Sequence, residues 1–358
     1  MNLKPRSSRD SATAARPSAA CTLGLIACAW VAALLPRPAP ASGECGLACC
    51  LAGASTSGVT LTAGMGLSVQ YENARMGTIR HGTTAVTADE VINRHWTAGT
   101  SYSAPTQMTM RKLSLIGVYP AGERWRAVAI LPYVENEMRM RMKTASGAVM
   151  DMAMDPVSGV GDASLLGLYT AYSDSPIRPT QRLTLGAGLK TPTGQSDVRT
   201  DTGTLLHATM QPGTGSWDVL FVANYVRALY PLVLQANLFY HLTTEGREGY
   251  EFGDQFAYDL ATRYQVADYV NMGLEVNGVN TTRDKDHAGR FSRPTTSMLD
   301  SPGYTGLRSR FLSVVVQLKI PDTGGAVELR YQLPVHQDVR GYQQVVDSRL
   351  LASLIWGF

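Results

Sequence analysis

Clustered cysteines are the first residues in this sequence whose type and spacing could support chemistry. Cys45, Cys49 and Cys50 form a C-x-x-x-C-C group. Thiolates bind soft metals, but this spacing matches neither the paired cysteines of a zinc site nor the C-x-x-C-H of haem attachment. In an oxidising compartment the three residues would form one disulfide and leave a spare thiol, or bridge to another chain. We favour a structural role and keep them as weak metal-ligand candidates, in a segment that could dock a periplasmic redox or metal partner.

Regularly spaced methionines form a second group. They occupy every other position in two short runs: Met138, Met140, Met142, Met150, Met152 and Met154. Thioethers are soft ligands that suit Cu(I), so copper handling is one interpretation. The other is that flexible methionine side chains supply the apolar face of a hairpin. Alternate spacing fits both interpretations, and we favour packing.

Paired charges form a third group. Glu135 and Glu137 could act together as acid and base, but the neighbouring Arg139 and Arg141 explain them as ion-pair partners. The sequence shows no phosphate-binding glycine loop, nucleophile elbow or metalloprotease helix. We therefore predict no catalytic residues and no cofactor. A net charge of +3 is too small to indicate nucleic-acid binding.

The N-terminus predicts export. Arginines precede an apolar run over about residues 19–35, and Ala39-Pro40-Ala41 provides small residues for signal-peptidase cleavage. We predict a signal peptide over 1–41, a cysteine-containing periplasmic segment over 42–57 and one domain over 58–358. The alternative is an uncleaved N-terminal anchor. No later apolar run is long enough for a membrane-spanning helix.

The elements that must position the charged residues are long alternating strands. From Val59 to Tyr71 every second residue is apolar, and the residues between them are small or polar. Runs of ten residues or more favour a membrane barrel over a globular sandwich, whose strands are shorter. The pattern predicts an all-β fold: a transmembrane antiparallel up-and-down β-barrel of about twelve strands. The predicted strands cover residues 58–75, 106–120, 124–142, 161–173, 181–191, 216–228, 232–243, 254–266, 269–282, 306–320, 326–337 and 345–358.

The connections between these strands alternate in length. Short turns are predicted at 121–123, 174–180, 229–231, 267–268 and 321–325. Longer loops are predicted at 76–105, 143–160, 192–215, 244–253, 283–305 and 338–344. Short periplasmic turns and long external loops are typical of bacterial outer-membrane barrels. Both termini are then periplasmic.

The last strand ends in an aromatic pattern. Leu350, Ala352, Leu354, Trp356 and Phe358 alternate on one face, as expected for a lipid-facing strand. We predict that this strand pairs with the first strand and closes the barrel, so that no free edge faces lipid. Its ending resembles the C-terminal signal that outer-membrane barrels present to their assembly machinery. Trp356 and Phe358 are therefore candidate assembly-signal residues, and the assembly machinery and membrane lipid are the expected partners.

Charged residues on the strands are predicted to face the lumen, because Arg or Lys near the bilayer midplane costs about 2–4 kcal/mol on the lipid face. The candidate lining residues are Glu135, Glu137, Arg139, Arg141, Arg182, Lys190, Asp218, Asp259, Arg263, Glu275, Arg308, Arg310, Lys319, Glu328 and Arg330. The same reasoning predicts lumen positions for Asn224, Asn277, Gln317 and His336. Since both signs are present, the lumen should hold ion pairs rather than a single-sign filter. A polar pore and an interior filled by paired charges both fit twelve strands.

Three glycine-rich segments, at 159–169, 185–194 and 211–218, carry a family resemblance. Their motif residues are Gly161, Asp162, Lys190, Pro192, Gly194, Gly213, Gly215 and Asp218. Their order and spacing resemble the outer-membrane barrel family named for the meta-pathway of phenol degradation. The resemblance covers about 59–358, although its specific motifs lie within 159–218. It implies a channel for small hydrophobic or aromatic compounds.

From the residues themselves, the glycines should allow close backbone approach, and Pro192 should end a strand. Asp162 and Asp218 should accept hydrogen bonds from loop amides or pair with lumen arginines. We therefore expect a passive outer-membrane channel for small molecules, not an enzyme. The alternative is a non-conducting barrel that binds a metal ion or a redox partner through its cysteines and methionines.

Overall fold

The computed structural model describes residues 65–176 and 179–358. The predicted signal peptide, the cysteine-containing segment with Cys45, Cys49 and Cys50, and the predicted start of the first strand at 58–64 lie outside these residues. None of the described helices is both long enough and apolar enough to span a bilayer.

Eighteen strands and one α-helix make up the described chain, together with three short 3₁₀ segments at 208–210, 298–300 and 302–304. The strands are β1 Gly66–Met76, β2 Thr78–Gly82, β3 Thr84–Val86, β4 Tyr102–Pro120, β5 Trp125–Lys143, β6 Val149–Ala153, β7 Val157–Val160, β8 Ser164–Ser173, β9 Gln181–Lys190, β10 Asp218–Leu229, β11 Leu232–Leu242, β12 Tyr250–Glu251, β13 Gln255–Ala267, β14 Val270–Thr281, β15 Lys285–Asp286, β16 Leu307–Ile320, β17 Gly325–Val345 and β18 Ser348–Gly357. The helix, α1, spans Ala88–His95.

The long strands close into an antiparallel barrel. Each pairs with its neighbour in the order β1, β4, β5, β8, β9, β10, β11, β13, β14, β16, β17 and β18. The last strand then pairs with the first, for example at Tyr71 opposite Ala352. The result is the closed barrel of 12 strands that the alternation predicts.

Alternation along each strand separates an apolar exterior from the interior. In β1, Leu67 and Val69 are exposed, while Ser68 and Gln70 between them are buried. In β18, Leu354 is exposed and Ser353 is buried. A closed barrel satisfies its backbone hydrogen bonds internally, and an apolar outer belt fits hydrocarbon, so the architecture is that of an outer-membrane β-barrel.

The predicted difference between the two ends is present. Connections at one end are short, at 121–124, 230–231, 268–269 and 321–324. The other end carries longer segments, which contain α1 and six of the short strands. Several boundaries differ from the prediction by up to three residues, and two differ by more. β4 begins at Tyr102 rather than at residue 106, and the predicted loop over 338–344 lies within β17.

The second difference has a local cause. Gly341 takes a positive φ of 68°. Val339 pairs both with Leu307 of β16 and with Gly82 of β2, and beyond Gly341 the residues Tyr342–Val345 continue to pair with β2 after a register shift. A glycine that tolerates a positive φ accommodates this irregularity, so β17 continues where the sequence predicts a loop.

Helix α1 was missed by the sequence interpretation. Thr87 and Glu90 form a reciprocal capping box at its start, and the T-x-x-E spacing is a signal that could have located it. Val91 and Ile92 are buried with Ile79 and Tyr102. These contacts pack the external segments over the outer end of the barrel.

Candidate functional site

A cavity of about 320 Å³ lies at the outer end of the barrel. The outer ends of the strands form its wall, and the segments around 208–214 and 298–306 contribute the rest of its lining. One part of this lining is apolar and includes Met76, Met108, Met110, Ile130, Val134, Phe252, Met298 and Leu299. The polar part includes Lys112, Asp162, Lys190, Asp218, His241 and Asp284.

Lys190 holds together the three glycine-rich segments. Its ammonium nitrogen lies 2.9 Å from Asp162 Oδ2 and 2.8 Å from Asp218 Oδ2. It also donates to Ser216 Oγ at 3.2 Å and to Thr214 Oγ1. The three charged side chains are at most 8% exposed. We call Lys190, Asp162 and Asp218 the Lys190 cluster.

Both carboxylates of the Lys190 cluster also accept hydrogen bonds from loop backbone. Asp162 accepts from the amides of Gly194 and Thr214, at 2.9 and 2.8 Å. Asp218 accepts from the amide of Thr244 at 2.9 Å. Their cationic partner is Lys190 rather than a lumen arginine. The cluster therefore fixes the loops that surround the cavity.

The glycines let two of these loops touch. A Cβ atom on Gly213 would lie 2.6 Å from Gly194 Cα, and one on Gly194 would lie 2.7 Å from Gly213 Cα. Gly215 takes a positive φ of 73°. Larger residues at these positions would push the loops apart.

Asp284 fixes a second group of loops beside the cavity. It accepts a hydrogen bond from Tyr250 Oη at 2.7 Å and another from the Gly253 amide at 2.8 Å. Burial raises the pKa of its carboxyl to about 6, against the opposing effect of these two hydrogen bonds. This loop carboxyl therefore titrates close to neutral pH.

Toward the middle of the strands, buried charged and amide side chains fill part of the interior. Glu72 lies 2.5 Å from Lys112 Nζ and 2.9 Å from Arg349 Nε. Arg349 then donates to Gln332 Oε1 at 2.5 Å. Glu72 and Arg349 have fully buried side chains. Lys112 also lines the cavity, so it joins the two regions.

The same network continues around the barrel wall. Gln332 donates to Asn277 Oδ1 at 2.8 Å, and Asn277 donates to Asp259 Oδ1 at 2.7 Å. Glu275 pairs with Arg263 at 2.5 Å and with Arg330 at 2.9 Å. Glu328 pairs with Arg330 at 3.1 Å. We call the connected set the charged network: Glu72, Lys112, Asp259, Arg263, Glu275, Asn277, Glu328, Arg330, Gln332 and Arg349.

Many of the candidate lining residues point inward. The buried ones are Arg182, Lys190, Asp218, Asp259, Arg263, Glu275, Glu328 and Arg330. Lys319 follows the inward alternation of β16, but it is exposed at the periplasmic end of that strand. Gln317 is buried, and Asn224 and Asn277 take part in interior hydrogen bonds.

Six candidates lie on the outer face, so the prediction of a lumen position is wrong for them. In β5, Glu135, Glu137, Arg139 and Arg141 continue the face that carries exposed Leu131 and Tyr133. In β16, Arg308 and Arg310 share the face of exposed Leu312 and Val314. His336 is also exposed, opposite Arg310 in the register.

The length of the strands explains this correction. β5 has 19 residues, whereas about 9–11 residues of a tilted strand cross a bilayer. Beyond the hydrocarbon, a charged side chain meets water or headgroups and has no reason to turn inward. There Arg111 pairs with Glu135 and with Glu137, and Arg141 pairs with Asp151.

Several interior residues were missed. Glu72, Lys112, Arg126 and Arg349 are all buried. Each alternates with residues on the apolar outer face of its strand, so strict alternation would have assigned them inward. The methionines of the cavity, such as Met108 and Met110, sit on the same inward face of β4.

The alternating methionines lie on paired strands, and those of β5 are packed more closely than those of β6. Met140 lies opposite Met152, and Met142 lies opposite Met150, in the β5–β6 register. Met138 and Met140 are buried. Across the described parts of the chain, no three or more His, Cys, Asp or Glu residues are grouped to hold a metal ion.

Residues 117–297 match a family model described as "Putative MetA-pathway of phenol degradation". The match spans just over half of the chain and includes all three glycine-rich segments. The chain belongs to this family. The family region thus supplies the Lys190 cluster and part of the cavity wall, whereas Glu72 and Arg349 of the charged network lie outside it.

The chain is also similar to solved outer-membrane proteins. For an outer membrane channel from Pseudomonas putida F1, identity is 14% and the TM-score is 0.49, over 82% of this chain and 96% of that one. For the P. putida toluene transporter TodX, identity is 8% and the TM-score is 0.46, over 84% of this chain and 92% of that one. For the CymD monoaromatic hydrocarbon channel, identity is 10% and the TM-score is 0.38, over 84% of this chain and 92% of that one. No curated protein matches the sequence.

Proposed function

We propose that this protein carries small, mainly apolar molecules across the outer membrane and that the outer-end cavity binds them first. The observation that supports this most strongly is the cavity itself. Its methionine-rich wall suits an apolar solute, and its position beneath the external loops suits capture from outside. Membership in a family described by phenol degradation agrees with such a cargo.

The charged network supports a controlled passage rather than a wide aqueous pore. Its buried side chains occupy the interior next to the cavity, and Lys112 belongs to both regions. A solute that leaves the cavity toward the periplasm would have to displace some of these side chains. We therefore expect slow, selective passage without a catalytic step.

Uptake by intact Gram-negative cells tests the proposal. Their lipopolysaccharide leaflet slows apolar solutes that would cross a phospholipid vesicle unaided. We expect cells that make the protein to take up radiolabelled p-cresol faster than cells with an empty vector. Equal initial rates in the two strains would contradict the proposal.

A matched pair of substitutions assigns uptake to the cavity. Met110→Trp should fill space where the solute binds, because Met110 lines the cavity. Met150→Trp changes an exposed methionine that does not line the cavity and serves as the control. Uptake should fall to the empty-vector rate in the first variant and stay at the wild-type rate in the second.

We also propose that Trp356 and Phe358 are recognised by the barrel-assembly machinery. Trp356 lies opposite Leu67 where β18 meets β1, and the amide of Phe358 donates to the Met65 carbonyl at 2.8 Å. Deletion of residues 356–358 should prevent outer-membrane assembly. Normal heat-modifiable migration of the truncated protein would contradict this.

A further inference from the structure

Two buried amide oxygens on the cavity wall have no hydrogen-bond donor among the residues that the structure describes. They are Asn136 Oδ1 and Gln344 Oε1. The two residues are only 3% and 7% exposed, and both line the cavity. A buried acceptor without a donor is unfavourable, so such atoms in a cavity indicate a ligand or water that donates to them.

The orientation of both amides is fixed by the backbone. Asn136 Nδ2 donates to the Met210 carbonyl at 3.2 Å, and Gln344 Nε2 donates to the Met76 carbonyl at 3.0 Å. Rotating either amide would place its oxygen against a carbonyl oxygen, where neither atom can donate. The oxygens are therefore the atoms left without a partner.

A third amide on the cavity wall shows the contrast. Gln211 Oε1 accepts from the Val198 amide at 2.9 Å, and Gln211 Nε2 donates to the Val198 and Leu206 carbonyls at 3.1 and 3.2 Å. The fold satisfies both ends of this side chain. The unpartnered oxygens of Asn136 and Gln344 are therefore not shared by every amide on the cavity wall.

The charges around the cavity favour a neutral ligand. The ammonium groups of Lys112 and Lys190 are already paired with carboxylates. Asp284, on the wall, adds another carboxyl. Among the described residues that line the cavity, the basic side chains of Lys112, Lys190 and His241 all pair with carboxylates. An anionic ligand would therefore meet carboxylates and carbonyl oxygens, whereas a neutral hydroxyl can donate to the amide oxygens.

The apolar part of the wall favours a ring. The thioethers of Met76, Met108, Met110 and Met298 line the cavity, and methionine sulfur makes favourable contacts with aromatic rings. We propose that the cavity selects small neutral aromatic molecules that carry a hydroxyl or similar hydrogen-bond donor. Asn136 and Gln344 are its specificity-determining residues. The proposal rests on the proposed function and restricts its solutes to aromatic molecules with a hydrogen-bond donor.

Three ligands of similar shape test the proposal on the wild-type protein. p-Cresol has a donor, p-methylanisole keeps the oxygen but cannot donate, and p-xylene has no polar atom. Binding is measured with radiolabelled ligands and protein in lipid nanodiscs, after subtraction of binding to empty discs. One good hydrogen bond predicts roughly tenfold tighter binding of p-cresol than of p-methylanisole. A ligand that displaces water without replacing its hydrogen bond loses affinity.

Substitutions then test which residues cause the preference for p-cresol over p-methylanisole. Asn136→Leu and Gln344→Met should each reduce the ratio of p-cresol to p-methylanisole affinity, and the double variant should bring it near one. Gln211→Met is the matched control, because it changes a cavity amide whose oxygen already has a donor. Its ratio should stay at the wild-type value even if the loop is weakened.

The binding and uptake measurements distinguish a failure of the ligand preference from a failure of transport. Equal wild-type affinity for the three ligands would overturn the donor requirement, even if cells still took up p-cresol. An unchanged ratio in the double variant would overturn the assignment to Asn136 and Gln344. Failure of cellular uptake with a normal binding preference would instead count against transport alone.

Discussion

The cavity and the charged network lie in the same barrel but differ in the chemistry of their side chains. The cavity has a methionine-rich wall and loops that are fixed by the Lys190 cluster. The network consists of fully or nearly fully buried charges that pair with one another across strands. Flexible thioethers adapt to a ligand, whereas buried charges tolerate little movement without losing a partner. Under the proposed function, we expect selection of the solute at the outer end of the barrel and resistance to its passage deeper in the interior.

Removing a carboxylate from the charged network should have the largest effect and tests whether its charges differ from those on the outer face. Glu72→Gln should leave Lys112 and Arg349 as neighbouring buried cations without their anion, and we expect a loss of about 3–5 kcal/mol in unfolding free energy. Denaturant unfolding in detergent measures it. The control is Glu137→Gln, which breaks a half-exposed ion pair on the outer face and should cost about 1 kcal/mol or less. Similar losses in the two variants would contradict the distinction between buried and external charge.

A glycine substitution tests the cavity side separately. Gly213→Ala places a methyl group against Gly194, which should destabilise the loop contact by roughly 1–3 kcal/mol. Proteases should then cut the segment 195–215 faster, while the barrel strands stay protected. Gly117→Ala is the control, because a Cβ atom there meets no atom within 4 Å. Unchanged proteolysis in Gly213→Ala would show that the loops do not need this close approach.

Acidity should stabilise the loop contacts of Asp284. Because burial raises the pKa of folded Asp284 to about 6 from an ordinary value of 3.8, its contribution to stability is fully present below about 3.8. It is lost as the pH rises through about 6. Amide hydrogen exchange at Gly253, corrected for intrinsic rates, should therefore show more protection at acidic than at neutral pH. Asp284→Asn should remove that dependence, and its persistence in this variant would exclude Asp284 as the source.

The smallest effect is expected for an outward arginine. Arg308→Cys should change stability by no more than about 0.5 kcal/mol and should react on intact cells with a membrane-impermeant maleimide above the wild-type background. Ser309→Cys, one residue away, is the control because Ser309 is buried on the inward face. Faster labelling of Ser309→Cys than of Arg308→Cys would reverse the faces assigned to β16.

The fold could be predicted because alternation over ten or more residues is a strong signal. Twelve barrel strands, their closure and the short turns at one end all follow from it. The charged residues could be placed only in part. Arg263 and Arg330 face inward as polarity suggests, but Arg139 and Arg308 face outward because their strands extend beyond the lipid. Where polarity and alternation disagreed, alternation was correct, since the pleat cannot turn one residue without turning its neighbours.

The cavity itself could not be predicted from sequence. Its wall combines Met110 on β4, Asn136 on β5 and Gln344 at the end of β17, which are brought together by barrel closure and strand register. Its unpartnered oxygens depend on where two backbone carbonyls lie. Such features depend on how distant strands and loops pack together, whereas the capping box of Thr87 and Glu90 is a local sequence pattern that the sequence interpretation missed.

The most direct test of the outer-end cavity as the binding site is to locate a bound ligand. Crystals of the protein soaked in p-bromophenol would reveal the bromine by anomalous scattering. We predict a bromine peak inside the outer-end cavity, with the hydroxyl within hydrogen-bond distance of Asn136 Oδ1 or Gln344 Oε1. A peak only outside the barrel, or an empty cavity at a concentration that saturates binding in nanodiscs, would show that the cavity is not the binding site.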